Sequence, residues 1–122
     1  MEAVLKKRVL IVEDDPAVRQ IVRVLLERDG VEVDIAEDGE RATSMLGERK
    51  YSAVLLDLLM PRLDGHGVIA FMKERGMEIP VVVVTAISDS ADLDPGLVRV
   101  VMQKPFEARE LRKVVNAVLE RV

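Results

Sequence analysis

Ala53-Val54-Leu55-Leu56-Asp57-Leu58-Leu59-Met60-Pro61 is the stretch that decides how this chain folds. Four consecutive aliphatic residues run straight into a carboxylate. A run that is apolar on both sides of the pleat suits a strand covered on both faces, which is the habit of parallel sheets. A carboxylate next to such a run must be paired or exposed, because burying it alone is costly. Asp57 is therefore expected at a strand end, where the chain leaves the core.

Working outward, similar runs recur at Val9-Leu10-Ile11-Val12, at residues 31–36, at residues 81–84 and at residues 98–102. Amphipathic stretches lie between them. Val18, Ile21, Val22, Leu25 and Leu26 recur at helical spacing, with Asp15 placed to cap, Pro16 in the first turn and Gly30 at the end. Leu111, Val114, Val115, Val118 and Val122 form a second stripe after Phe106, and weaker helical patterns cover residues 40–46 and 65–74. Strand and helix alternate through short connections, without linker, repeat or low-complexity stretch. This order predicts an α/β fold: a doubly wound, five-stranded parallel sheet of the flavodoxin-like kind, with five helices and right-handed crossovers. Residues 1–122 are read as a single domain.

Composition narrows the function classes. The 122 residues are 49% hydrophobic and 33% charged, but only 2% aromatic, so aliphatic side chains must fill the core. Eighteen basic and twenty-two acidic residues give a net charge of −4, which argues against direct nucleic-acid binding. The absence of cysteine removes disulfides, thiolate metal sites and cysteine nucleophiles together. The longest apolar stretch, residues 79–87, is too short to span a bilayer. Lys6, Lys7 and Arg8 precede only four apolar residues before acids begin, a poor secretory leader. A cytoplasmic location without membrane insertion is expected.

In open α/β sheets, ligands sit beyond the carboxyl ends of the strands. Those ends carry Glu13-Asp14-Asp15, Asp57, Thr85-Ala86 and Lys104-Pro105-Phe106. Carboxylates, a hydroxyl and an ammonium would converge in one crevice. A like-charge pair at about 4 Å costs about 4 kcal/mol at an effective dielectric near 20. Such a cluster raises a pKa or holds a cation. An all-oxygen set favours a hard divalent ion, and Mg²⁺ suits best, since it keeps waters that phosphate oxygens can replace. Asp57 is then a candidate carboxylate nucleophile for phosphoryl transfer, with Lys104 and Thr85 facing the phosphoryl oxygens.

Together these four motifs, with Asp57-Leu58-Leu59-Met60-Pro61-Arg62-Leu63-Asp64-Gly65 extending the second, resemble the signature of bacterial response-regulator receiver domains. The resemblance covers essentially the whole chain. It implies that Asp57 is the phosphoacceptor and that Asp14 binds Mg²⁺ directly, with Glu13 acting through water. The backbone carbonyl of Leu59 would complete the protein's share of metal coordination, and Thr85 and Lys104 would hold phosphoryl oxygens. It further implies a cis peptide before Pro105, a sensor histidine kinase or phosphotransfer protein as donor, and a downstream protein or output domain. Such a domain is not an enzyme, beyond promoting its own phosphorylation and dephosphorylation.

Three positions depart from the family pattern. Val101 stands where receivers usually carry Tyr or Phe. The segment between Thr85 and Lys104 is short and rich in Asp, Ser, Pro and Gly, which predicts a short or irregular fourth helix. Leu59 and Ile87 are apolar where relatives often place polar groups. The runner-up reading is a degenerate receiver that docks partners independently of phosphorylation, against which the complete acceptor set weighs. A haloacid-dehalogenase-type phosphatase needs a second Asp two residues after its nucleophile, and Leu59 stands there. No Gly-x-Gly-x-x-Gly follows a strand, which disfavours dinucleotide binding. Singly, Asp15 reads as a helix cap, His66 as a solvated side chain, and Asp38-Gly39 as a turn and helix start.

Overall fold

The computed structural model describes residues 6–86 and 93–121. Within them the chain forms β1 (Arg8–Val12), α1 (Pro16–Arg28), β2 (Glu32–Ala36), α2 (Gly39–Glu48) and β3 (Ala53–Leu56). There follow α3 (Gly65–Glu74), β4 (Val81–Thr85), β5 (Val98–Gln103) and α4 (Ala108–Leu119). All strand pairs are parallel, in the order β2-β1-β3-β4-β5. The chain reverses direction across the sheet between β2 and β3, so β1 and β3 lie side by side at the switch point.

The two-sided runs do what their pattern predicts. Leu10, Val12, Val54, Leu56, Val81 and Val83 pack under α2 and α3, joining Ala42, Leu46, Val68 and Met72. Their neighbours Val9, Ile11, Ala53, Leu55, Val82 and Val84 face the other way, onto Val22, Leu26, Leu111 and Val115 of α1 and α4. Each strand thus feeds two cores, and every residue of β3 and β4 is buried.

Local signals set the helix ends. The Asp15 carboxylate accepts from the Ala17 N–H at 2.9 Å, and Pro16 opens α1. At the far end Gly30 takes φ +80°, letting its N–H reach the Glu27 carbonyl and the Val31 N–H reach that of Leu26. This is a Schellman closure, which needs a left-handed residue at that position. It also moves the start of β2 to Glu32, one residue later than the hydrophobic run suggests.

Five helices were expected, and the described residues form four. Residues 87–92, where most of the expected fourth helix falls, lie outside the described residues. From Leu93 to Leu97 the chain is a turn rather than helix. The Asp94 carboxylate accepts from the Gly96 N–H at 2.8 Å, and the Asp94 carbonyl takes the N–H groups of Leu97 and Val98. Pro95 has no N–H to donate, and Gly96 is a weak helix former. No helix among the described residues is long and apolar enough to cross a membrane.

Candidate functional site

Strand register builds the site. Val12 pairs with Leu56, so the residues that follow them, Glu13 and Asp57, leave the sheet side by side. The Asp57 N–H still donates to the Val12 carbonyl at 3.0 Å. On the other flank Thr85 pairs with Gln103, and the Lys104 N–H donates to the Thr85 carbonyl at 2.8 Å. The Lys104-Pro105 peptide is cis, as the family resemblance implies.

These side chains converge. Oxygen atoms of Glu13, Asp14 and Asp57 lie within 4.8 Å of one another. Glu13 and Asp57 are buried, whereas Asp14 is exposed. Lys104 Nζ bridges the buried pair, 2.6 Å from Glu13 Oε1 and 3.0 Å from Asp57 Oδ2. The remaining carboxylate oxygens are engaged locally: Glu13 Oε2 accepts from the Asp15 N–H at 3.2 Å, and Asp57 Oδ1 from the Leu59 N–H at 3.2 Å.

Electrostatics follow from this crowding. Burial pushes the Glu13 carboxyl up to about 7; the hydrogen bonds from Lys104 and Asp15 oppose it, and the Asp57 charge adds to it. Burial alone would lower the Lys104 ammonium. Its hydrogen bonds to Glu13 and Asp57, with their charges, outweigh burial and hold it above its ordinary range. The carboxylate cluster therefore already attracts one cation, the ammonium of Lys104. A set of oxygen donors with one solvent-facing member fits a hard divalent ion that keeps part of its water shell.

Thr85 closes β4 at the same sheet edge and is fully buried. Leu59 lies on the rim with 57% of its surface exposed, and its N–H faces inward to Asp57. His66 is exposed, as a solvated side chain should be. Two contributors escaped the sequence reading. Arg19, one turn into α1, donates to the carbonyls of Glu13 and Asp14 at 3.2 and 3.3 Å, so its guanidinium braces the acidic turn. Asp38 is more than a helix start: it is buried, caps α2 through the Arg41 N–H at 2.8 Å, and takes the Arg62 guanidinium at 2.9 Å. A cap signal was present in Asp38-Gly39, but nothing in the sequence pairs Asp38 with Arg62 across 24 residues.

Fold and site define a flavodoxin-like domain with an acidic crevice, fit for a divalent cation, at the carboxyl edge of its sheet. The sequence model of the response regulator receiver domain matches residues 9–116, and the chain belongs to that family, the receiver domains of two-component signalling. It is 38% identical over 118 residues to the response regulator MprA of a Mycobacterium species, covering 93% of this chain and 51% of that protein. It is 35% identical over 120 residues to the probable transcriptional regulator ycf27 of Porphyridium aerugineum, covering 96% of this chain and 50% of that one. The chain thus spans about half the length of the curated relatives it matches. Among solved structures, the response regulator TrrA of Thermotoga maritima, in complex with Mg²⁺-BeF, superposes with TM-score 0.83 at 30% identity, covering 92% of this chain and 98% of that one. The receiver domain of the Pseudomonas aeruginosa sensor histidine kinase PA1611, with a magnesium ion in its active-site cleft, gives TM-score 0.83 at 25% identity, covering 95% and 99%.

Proposed function

We propose that Asp57 is the phosphoacceptor of this receiver domain and that it takes a phosphoryl group from a histidine kinase or phosphotransfer protein. Residues 1–122 would act as one cytoplasmic receiver unit that promotes only its own phosphorylation and dephosphorylation. The observation that carries this reading is the convergence of three carboxylates within 4.8 Å, with Lys104 Nζ 3.0 Å from Asp57 Oδ2. A lone aspartate at a strand end would not need that company.

Asp14 and Asp57 would hold Mg²⁺ through their carboxylates, Leu59 through its carbonyl, and Glu13 through water. The bound ion supplies positive charge against the phosphoryl oxygens. In the transfer, an Asp57 oxygen forms a bond to phosphorus as the N–P bond of the donor phosphohistidine breaks, and the electron pair leaves on the imidazole nitrogen. Lys104 neutralises charge on the moving phosphoryl group, and Glu13 keeps its ammonium in reach. Thr85 would supply a hydroxyl donor to the same oxygens.

Acetyl phosphate is a donor that needs no partner protein. Incubation with it and Mg²⁺ should add one phosphoryl mass to the intact protein. The addition should vanish in Asp57→Asn and in EDTA, and Lys104→Ala should slow it by at least about tenfold. A full adduct in Asp57→Asn would overturn the assignment. An unphosphorylatable parent that still binds partners would favour the docking reading.

A further inference from the structure

The turn that follows the proposed phosphoacceptor is held in an unfavourable shape. Arg62 takes φ +69°, in the left-handed region that non-glycine residues rarely adopt. Across it the Leu63 N–H donates to the Pro61 carbonyl at 2.8 Å, closing a γ-turn of the rare, strained hand. Such a turn persists only when its surroundings over-determine it.

Two contacts do so here, and both lead to the start of α2. The Arg62 Nε donates to Asp38 Oδ2 at 2.9 Å. The Leu63 carbonyl lies against Gly39, where a Cβ would come within 2.0 Å of that oxygen. Asp38 is itself fixed, since its other oxygen caps α2 through the Arg41 N–H. The pair is charge-assisted from both sides: hydrogen bonds from the Arg41 N–H and Arg62 hold the Asp38 carboxyl below its ordinary range. At the other end of the turn, Gly65 packs onto the Asp57 carbonyl and donates to that of Leu58 at 3.0 Å.

We propose that Arg62 is a positioning residue for the metal and phosphoryl site. By latching the turn to Asp38 it sets where the Leu59 backbone sits: its carbonyl as a metal ligand, and its N–H on Asp57 Oδ1 at 3.2 Å. The metal part of this inference rests on the proposed function above; the latch itself does not. Arg62 touches neither ion nor phosphoryl group and works through the backbone of residues 59–63.

Arg62→Ala removes the guanidinium. Asp38→Asn keeps a cap acceptor for the Arg41 N–H, since Asn caps helices as well as Asp, but replaces the partner of Arg62. Two readouts separate the latch from the proposed function. In EDTA, amide hydrogen exchange at Leu59 and Leu63 should quicken about tenfold in both variants while protection in the sheet stays at the parental level. By calorimetry, Mg²⁺ affinity should fall about tenfold, the lower end for lost outer-shell contacts. The double variant should lose no more than either single one. Phosphorylation by acetyl phosphate should slow at limiting Mg²⁺ and recover at saturation, a split that general destabilisation would not produce. Unchanged exchange at Leu59 and Leu63 in both variants overturns the latch. Altered exchange with parental Mg²⁺ affinity overturns the positioning role. A parent that does not bind Mg²⁺ at all overturns the proposed function, and with it the positioning role, while the exchange result still decides whether the latch exists.

Discussion

Glu13 should govern how the metal-free fold responds to pH. Its ordinary value is 4.5, and burial pushes the folded value up to about 7. The folded chain therefore holds this proton where the unfolded chain releases it. The associated stability is fully present below pH 4.5 and is lost as pH rises through about 7. In EDTA the parent's melting temperature should fall across that window, and Glu13→Gln, which cannot ionise, should flatten the fall. The lowered carboxyls of Asp29, Asp38 and Asp94 act in the opposite sense and at lower pH, so the difference between parent and variant isolates Glu13. A parent melting temperature that rises through the window relative to Glu13→Gln contradicts the burial argument. Leu59 carries a second prediction. Its apolar side chain, half exposed on the rim, offers no polar group to orient an attacking water. Leu59→Asn should quicken decay of the aspartyl phosphate on the order of tenfold, a modest share of what a positioned polar group supplies. Timed loss of the phosphoryl mass measures it, and an unchanged half-life counts against the idea.

At the scale of elements, two glycines that look equivalent in the sequence do different work. Gly30 ends α1 in a left-handed conformation, and a Cβ there would meet nothing within 4 Å. Gly30→Ala should therefore cost only the backbone strain, about 1 kcal/mol. Gly39 begins α2 against the Leu63 carbonyl, a backbone atom that cannot swing aside. Gly39→Ala should cost about 3 kcal/mol, the upper range for overpacking, and should displace the turn beside Asp57. Urea unfolding of the two variants tests the contrast; equal losses would mean that the turn yields easily. The same elements show what a sequence discloses. Residues 53–56 and the stripe from Val18 to Leu26 were legible because a two-sided aliphatic run and a capped helical pattern each leave one reading. The start of β2 was misplaced because Val31 is apolar for another reason: it is the buried residue after a Schellman closure. In the described part of the segment between β4 and β5, Asp94-Pro95-Gly96 makes a turn, as its composition predicts.

Across the whole molecule, the site was legible because topology does the gathering. Glu13, Asp14, Asp57 and Lys104 lie up to 91 residues apart, yet parallel strands bring their carboxyl ends to one edge. What stayed hidden was the scaffolding: the clasp of Arg19 on two carbonyls and the pairing of Arg62 with Asp38 have no periodic signature. The crowded carboxylates also link ion binding to folding. Mg²⁺ at about one hundred times its dissociation constant should stabilise the parent by about 2.7 kcal/mol through mass action. Asp57→Asn should blunt that gain, and it should raise the melting temperature in EDTA by relieving like-charge repulsion. Thermal melts of both proteins, with and without Mg²⁺, check the two effects together; a variant that melts lower in EDTA and gains as much from Mg²⁺ as the parent would deny the crowding.

Chemical trapping shows whether Asp57 carries the phosphoryl group. Protein treated with acetyl phosphate is reduced with borohydride, which converts an aspartyl phosphate to homoserine, and is then digested and sequenced by mass spectrometry. Homoserine should appear at position 57 alone, in the presence of Mg²⁺ and not in EDTA. Homoserine at position 14, or at position 57 in equal amount without the ion, would contradict the account.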